Sequence, residues 1–325
     1  MHNAMSSWMQ RLLIVGLGLL ATLGFGGFSS AQGRPVVYVA PIQGTIDLGL
    51  APFVDRALKQ ATDAGAAAVI FEINTFGGRV DAAVLIRDAL LNARVRTVAF
   101  VNKRAISAGA LIALAAETIV MTDGATIGAA TPVRMGEPGA APQPVEEKTV
   151  SYVRNEFSAT AEARKRPALI AEAMVDAAVE IPGLSEKGKL LTLTTEEAIQ
   201  HQVADLRTPT LERLLDQLDL VGAEVRRISP NWAEDLVRFL TGPIISSLLI
   251  TIGMLGIILE IRTPGFGVPG VLGIASLALF FWGHWLVQLA GWEELLLLVA
   301  GVGLVVLEVF FIPGFGVAGV LGGAA

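Results

Sequence analysis

The stretch AAAVIFEINTFGGRVDAAVLIRDALLNARVRTVAFVN, residues 66–102, decides the fold of this chain. It opens with a short apolar run, continues with apolar residues at helical spacing and closes with a second run rich in β-branched residues. Short apolar strands that alternate with helices predict parallel strands whose faces the helices cover. Because the alternation continues on both sides, residues 34–232 are predicted to form an α/β domain, and about 200 residues can bury a substantial core.

The chain as a whole is more apolar than an ordinary soluble protein. Its 325 residues are 53% hydrophobic, with a mean hydropathy of +0.61, so part of it is expected to lie in lipid. The formal net charge is −6 and no basic run occurs, which argues against nucleic acid as a partner. Cysteine is absent, which excludes disulfides, thiol catalysis and thiolate metal sites. No metal or other cofactor is expected.

Residues 1–31 have the layout of a secretory signal peptide. Arg11 is followed by a long apolar run and by the small-residue tail SSA before Gln32. We therefore expect a cleaved leader, with the α/β domain on the extracytoplasmic side of a cell membrane. An uncleaved N-terminal anchor is the alternative, since the two patterns are alike.

Residues 239–325 are predicted to form a multi-span membrane region. Phe239–Leu259 carries no charge and, at 1.5 Å per residue, is long enough to cross the ~30 Å hydrocarbon core. Val271–Ala290 and Leu295–Ile312 predict two further spans. A fourth apolar run starts at Val317 and is too short to cross a bilayer, so we expect the chain to be truncated there.

The membrane region repeats itself. PGFGVPGVLG at 264–273 returns as PGFGVAGVLG at 313–322, and a glutamate, Glu260 or Glu308, precedes each copy. Both copies satisfy G-x-G-x-x-G, but neither follows a strand in a βαβ unit, so we reject a dinucleotide site. The glycines and prolines instead predict a turn between spans, with the glutamates near the interface.

Ser107 is the candidate nucleophile. In NKRAISAGALIALAAETIV, residues 102–120, it follows a predicted strand and opens a predicted helix, which presents its hydroxyl and the N–H of Ala108. An ordinary helix N-cap is the alternative. Gly77 and Gly78 likewise end a strand before a helix, so the N–H of Gly78 or its neighbour can approach an anion. A simple βα turn is the alternative for the glycine pair and is favoured on this segment alone.

The proton acceptor is not readily assigned to a histidine. The chain has His2, His201 and His284, and His201 has no carboxylate at an obvious orienting distance. Serine–lysine dyads are a known alternative, and Lys148 is favoured among six lysines because it opens a predicted amphipathic helix. A lysine base must be neutral, which at pH 7 requires about 4 kcal/mol of differential interaction that burial can supply. We therefore expect Lys148 to be sheltered beside Ser107.

The loop before that helix, residues 131–147, is rich in proline and glycine. It joins the segment of Ser107 to the helix of Lys148. Its length and composition predict a mobile flap between the two catalytic pieces.

These residues resemble the membrane-bound serine proteases of the NfeD type, relatives of the ClpP and signal-peptide-peptidase enzymes with a crotonase-like fold. The likeness lies in NTFGGRVDAA at 74–83, SAGALIALAAETIVMTDGATIGAATPV at 107–133, EEAIQHQVADL at 196–206 and the membrane repeat. The resemblance implies a ClpP/crotonase-like domain in which Ser107 is the nucleophile and Lys148 its base. Gly78 and Ala108 then supply the oxyanion donors.

The resemblance also implies a substrate and an assembly. The expected activity is that of a serine endopeptidase that cleaves hydrophobic segments of a stomatin- or flotillin-like membrane protein, in a dimer or larger assembly. No nucleotide motif occurs, so the activity is expected to be ATP-independent. A non-catalytic membrane scaffold for the same partners is the alternative. An acyl-CoA hydratase-like enzyme is disfavoured because no recognisable carboxylate pair accompanies the glycine turn.

Two features depart from the family pattern. AEARKRP at 161–167 stands where relatives commonly read A-E-x-x-G-R-N, so the helix end and the substrate rim are expected to differ there. The small β-barrel that usually ends the long members is not found in these residues, as expected if the chain is truncated.

Overall fold

The structure is a computed structural model and describes residues 34–134, 143–262, 267–286, 296 and 300–301. Four predictions lie wholly or largely outside these residues. They are the leader at 1–31, the middle of the loop at 131–147, the span Leu295–Ile312 with Glu308, and the apolar run from Val317. The second repeat copy, at 313–322, also lies outside the described residues.

The α/β domain follows the predicted alternation of strands and helices. Its elements run β1 Val36–Ile46, α1 Leu50–Asp63, β2 Ala68–Gly78, α2 Val80–Leu91, β3 Thr97–Ile106, α3 Ala108–Ala115, β4 Thr118–Met121, β5 Thr126–Gly128, β6 Val133–Arg134, β7 Gln143–Pro144, α4 Glu147–Ala163, α5 Ala168–Val175, β8 Thr192–Thr194, α6 Thr195–Gln200, β9 Leu206–Arg207, α7 Leu211–Gln217 and β10 Glu224–Arg227. After a short connection come α8 Trp232–Thr241, α9 Pro243–Arg262 and α10 Val268–Leu286.

The main sheet has the strand order β10-β1-β2-β3-β4-β9, and every neighbouring pair along this path is parallel. β5 continues the sheet beside the end of β3 and pairs antiparallel with β8. β6 and β7 form a separate antiparallel pair. The predicted α/β class is confirmed.

Apolar residues fill both faces of this sheet, which is why its strands read as nearly continuous apolar runs. On one face, Leu214 of α7 belongs to the same buried apolar cluster as Val39 and Phe100 of the sheet. On the other face lies the larger core, which includes α3, and all eight residues of α3 are buried. A wholly buried helix is held firmly, and Ser107 directly precedes it.

Within the described residues, α9 and α10 are long and apolar enough to cross a membrane. α9 begins at Pro243 rather than at Phe239, where the composition changes. Gly242 has an extended backbone and a proline follows it, so the helix is broken and residue 239 belongs to α8.

Glycines and Glu260 make the contacts between α9 and α10. A β-carbon on Gly256 would lie 2.8 Å from the Cα of Gly273, so the two backbones pass in direct contact. The Glu260 carboxylate accepts hydrogen bonds from the N–H groups of Gly267, at 2.5 Å, and Gly270, at 2.9 Å. Glu260 therefore satisfies two backbone donors at the start of α10.

Candidate active site

Ser107 has a strained backbone at the junction of β3 and α3. Its φ of 56° and ψ of −121° lie in a region that costs a residue with a β-carbon about 1–3 kcal/mol. The backbone is held on both sides, because its N–H donates to Gly128 at 2.9 Å and its carbonyl accepts from Ala110 at 2.9 Å. The hydroxyl makes no capping bond to the helix. The N-cap alternative therefore does not account for this serine.

Glycine at position 77 makes room for Ser107. Gly77 has a φ of +110°, and a β-carbon there would lie 2.6 Å from the Ser107 Cβ and 3.0 Å from its Oγ. The glycine pair was predicted from its position between a strand and a helix. Its structural reason is this close approach of β2 to the serine.

Thr75 holds the glycine turn, and sequence reasoning missed it. Its side chain is buried, and its hydroxyl donates to the Gly44 carbonyl at 2.5 Å while accepting from the Gly77 N–H at 2.9 Å. Its methyl group packs where a β-carbon on Gly109, in the first turn of α3, would be only 2.4 Å away. Thr75 thus contacts β1, the glycine turn and α3. The available signal was its place just before the glycine pair in NTFGG.

A cleft of about 530 Å³ opens in front of Ser107. Its volume is that of a typical small-ligand or peptide side-chain pocket. Its lining includes both candidate oxyanion donors and is mostly apolar: Thr45, Phe76, Gly78, Arg79, Val80, Ala83, Ser107, Ala108, Leu111, Ala130, Thr131, Pro132, Val133, Val153, Phe157 and Pro243. The structure therefore brings Ser107, Gly78 and Ala108 to one apolar site.

Phe76 is the most exposed aromatic residue of the cleft. Its relative exposure is 74%, and the Arg104 guanidinium lies 4.4 Å from the centre of its ring. The cation–π contact orients the ring on the outer wall of the cleft. Val133 adds a second exposed apolar side chain on the strand pair β6–β7. Apolar side chains are therefore present at the mouth of the cleft as well as in its interior.

Lys148 is not part of this cleft. It lies in the first turn of α4, its side chain is 82% exposed, and its Nζ is 2.7 Å from the carboxylate of Glu146. The shelter expected for a neutral lysine is therefore not present in the described conformation. Exposed ion pairs of this kind are worth ~0–1 kcal/mol, so little holds Lys148 where it is. His201, at the end of α6, is also absent from the cleft lining.

The segment AEARKRP does not border the cleft. Arg164 donates to the Ala115 carbonyl at 2.7 Å, and buried Arg166 donates to the carbonyls of Ala116 and Glu117, both at 3.1 Å. These acceptors lie at the C-terminal end of α3, opposite Ser107, and the altered substrate rim at this position stays a prediction. Burial lowers the pKa of Arg166, which the nearby Asp205 carboxylate opposes. Two cations at this helix end complement its dipole.

The site thus lies in an α/β domain with a strained serine over an apolar cleft, and two helices long and apolar enough to cross a membrane follow it. Residues 36–228 match the family model described as the NfeD1b N-terminal domain. Residues 244–325 match the NfeD integral membrane domain. The chain belongs to the NfeD family, as the sequence resemblance predicted.

Two curated relatives support this membership. Membrane protein NfeD1b of Bacillus subtilis is 38% identical over 313 residues, which cover 96% of this chain and 70% of that protein. Membrane-bound protease PH1510 of Pyrococcus horikoshii is 29% identical over 292 residues, which cover 82% of this chain and 62% of that protein.

Solved structures of similar fold come from a membrane-bound stomatin-specific protease called 1510-N. A serine-to-alanine mutant superimposes with a TM-score of 0.54 at 26% identity, covering 61% of this chain and 99% of that one. A lysine-to-alanine mutant in complex with a substrate peptide gives a TM-score of 0.56 at 26% identity, covering 64% and 99%. The α/β domain therefore has the fold of a membrane-bound protease.

Proposed function

We propose that this chain is a membrane-anchored, ATP-independent serine endopeptidase with Ser107 as nucleophile and Lys148 as general base. The observation that carries the proposal is the strained backbone of Ser107, which faces an apolar cleft shared with Gly78 and Ala108. Strain at a strand-to-helix turn is how other hydrolase folds expose a catalytic serine. An ordinary N-cap serine does not require it.

The chemistry follows from these groups. The neutral amine of Lys148 takes the Ser107 proton as Oγ attacks the carbonyl carbon of the scissile peptide bond. The N–H groups of Gly78 and Ala108 stabilise the negative oxygen of the tetrahedral intermediate. The lysine then gives its proton to the leaving amine, and water hydrolyses the acyl-enzyme by the same route. Neither a metal nor another cofactor is required.

Lys148 must leave Glu146 for this mechanism to operate. We infer that its exposed side chain in the first turn of α4 turns toward the cleft when substrate binds. An apolar substrate segment in the cleft would exclude water and favour the neutral amine. The relative 1510-N supports the pairing, because its serine and lysine mutants alter residues 41 positions apart, the separation of Ser107 and Lys148.

The apolar cleft favours hydrophobic protein segments as substrates. Phe76, Leu111 and Phe157 offer large apolar contacts, whereas Arg79 is the one charged residue of the lining. The relative is described as stomatin-specific, which supports a stomatin- or flotillin-like membrane protein as the substrate here. We further propose that the protein spans the membrane several times and acts as a homodimer or larger assembly, with the protease domain on the extracytoplasmic side.

One observation favours a second function. Lys148 is exposed and paired with Glu146, as expected for a chain that keeps the fold without catalysis. Such a protein would be a non-catalytic membrane scaffold that organises stomatin- or flotillin-like proteins. In that case Ser107 and Lys148 would be dispensable for its role.

The test is cleavage of an apolar peptide by the full chain in detergent. Ser107→Ala and Lys148→Ala should each lower kcat/KM by about a thousandfold or more, because removing either dyad member removes the activated nucleophile. Lys59→Ala, at an exposed lysine of α1, is the matched control and should keep full activity. Equal cleavage by the wild type and the two dyad variants would exclude the dyad, and absence of cleavage by the wild type would favour the scaffold.

A further inference from the structure

α8 is fastened to the α/β domain by two ion pairs. The Arg56 guanidinium on α1 binds Glu234 through two nitrogens, at 2.6 and 2.7 Å. The Arg238 guanidinium binds Asp47, just after β1, at 2.9 Å. The side chains of both pairs are at most 28% exposed. The bidentate contact of Arg56 with Glu234 fixes the relative orientation of the two side chains as well as their distance. Charged contacts at both ends of α8 therefore set its angle to the domain.

The same helix touches the structure that forms the cleft. A β-carbon on Gly49 would lie 2.4 Å from the Arg238 Cγ, so α8 lies directly on the turn between β1 and α1. The Arg238 guanidinium also donates to the Thr45 carbonyl at 3.3 Å, and Thr45 lines the cleft. A movement of α8 would thus displace a wall of the cleft.

The other side of α8 contacts the membrane helices. Leu240 is buried, and its Cβ lies 3.0 Å from where a β-carbon on Gly283 of α10 would be. After the break at Gly242, α9 starts at Pro243, and Pro243 itself lines the cleft. The wall of the cleft therefore includes the first residue of a spanning helix.

The length of α9 places this residue relative to the bilayer. Its 20 residues rise about 30 Å, the thickness of the hydrocarbon core. With α9 across that core, Pro243 would lie where the headgroup layer begins. The cleft has the volume of a sphere about 10 Å across, whereas the headgroup layer on each side is ~6 Å thick. A cleft that starts at Pro243 would therefore extend only a few ångströms beyond the headgroups. Trp232 and Phe239 are exposed on α8, as expected at an interface.

The geometry points to α8 as a rigid spacer that fixes the cleft at the bilayer surface. Ser107 would then cut membrane proteins within about six residues of the point where their chain leaves the lipid, since an extended chain covers ~3.3 Å per residue. The substrate class is thereby narrowed to juxtamembrane segments. This inference rests on the proposed protease activity, and Arg56, Asp47, Glu234 and Arg238 are positioning residues in it.

The first test uses the full chain in phosphatidylcholine vesicles with single-span substrates. The same apolar cleavage sequence is placed about 3, 6, 12 or 24 residues beyond the span, and a water-soluble peptide of that sequence reports basal activity. Cleavage should be at least about tenfold faster at the two short distances, because the cleft is held there. Equal rates at all four distances, with Ser107-dependent cleavage of the soluble peptide, would overturn the spacer and leave the protease in place.

Two variants test whether α8 is the cause. The double change Arg56→Gln with Arg238→Gln, or an insertion of three glycines after Thr241, should reduce the distance preference to less than about threefold. Each variant's rates on the tethered substrates are divided by its own rate on the soluble peptide, so that a change in the cleft wall is separated from a loss of position. Arg226→Gln, at an exposed ion pair on β10, is the matched control and should keep the preference. A preference retained in both α8 variants would contradict the proposed role of α8.

A second measurement needs no catalysis. The chain has no cysteine, so Ser107→Cys creates a unique thiol that a nitroxide can label. In vesicles the nitroxide should lie within about 10 Å of the lipid headgroups, as measured by its relaxation with paramagnetic lipids and with water-soluble reagents. A label more than about 20 Å from the surface would overturn the inference. If no variant cleaves any peptide, the protease proposal fails and this depth alone decides the position of the cleft.

Discussion

At the scale of single residues, the candidate site depends on close contacts rather than on charges. Ser107 adopts its strained backbone because Gly77 leaves it space and because Gly128 and Ala110 bind its backbone on either side. These contacts offset a conformation that costs about 1–3 kcal/mol. Thr75 in turn fixes Gly77.

Thr75→Val should impair catalysis more than stability. The valine keeps the methyl contact with α3 but cannot bind the Gly44 carbonyl or the Gly77 N–H, so the glycine turn loses its anchor. We expect kcat to fall by about ten- to a hundredfold with little change in KM, because the oxyanion donors act in the transition state. The free energy of unfolding should fall by about 1–3 kcal/mol.

Thr75→Ser provides the control for this prediction. Serine keeps the hydroxyl and its two hydrogen bonds, so kcat should recover to within about threefold of the wild type. A serine variant as slow as the valine variant would show that the methyl packing, and not the hydroxyl, is what the site needs.

At the scale of elements, α3 is the part on which the site is built. Its eight residues are buried, Ser107 lies before its first turn, and arginines from the end of α4 bind its last carbonyls. The C-terminal end of α4, the helix that carries Lys148 in its first turn, therefore binds the C-terminal end of α3. A buried carbonyl end without such donors would be costly.

Arg166→Met should destabilise the α/β domain strongly. The methionine fills similar space but leaves the carbonyls of Ala116, Glu117 and Val203 without their donor. We expect the free energy of unfolding to fall by about 3 kcal/mol, measured by denaturation of the full chain in detergent. Arg207→Met, which removes only half-exposed ion pairs, should change it little. Similar values for the two variants would contradict the capping role.

At the scale of the whole molecule, the sequence predicted the alternation of strands and helices well because the buried strands are nearly uninterrupted apolar runs. It also predicted that Ser107 follows a strand and opens a helix. The strain of Ser107 was not predictable, since it arises from contacts with β2 and β5 that are distant along the chain. The same holds for Thr75, whose partners lie on three different elements.

Two other differences between sequence and structure have local causes. The apolar run begins at Phe239, within α8, and continues into α9, so it hid the break that Gly242 and Pro243 introduce. For Lys148, the sequence indicated a helix start but not which group its ammonium contacts. In the structure that group is the carboxylate of Glu146. The meeting of Ser107, Gly78 and Ala108 at one cleft thus agrees with the strand and helix pattern, whereas the pattern did not predict where the Lys148 side chain lies.

In the proposed mechanism, Ser107 forms a covalent bond to its substrate. Incubation of the full chain with an activated ester of an apolar peptide, followed by intact-mass and peptide-mass analysis, measures this bond directly. The account predicts one acyl group on Ser107, its absence in Ser107→Ala and slower formation in Lys148→Ala. No acyl group on Ser107 in the wild type, or equal labelling in the Ser107→Ala variant, would contradict it.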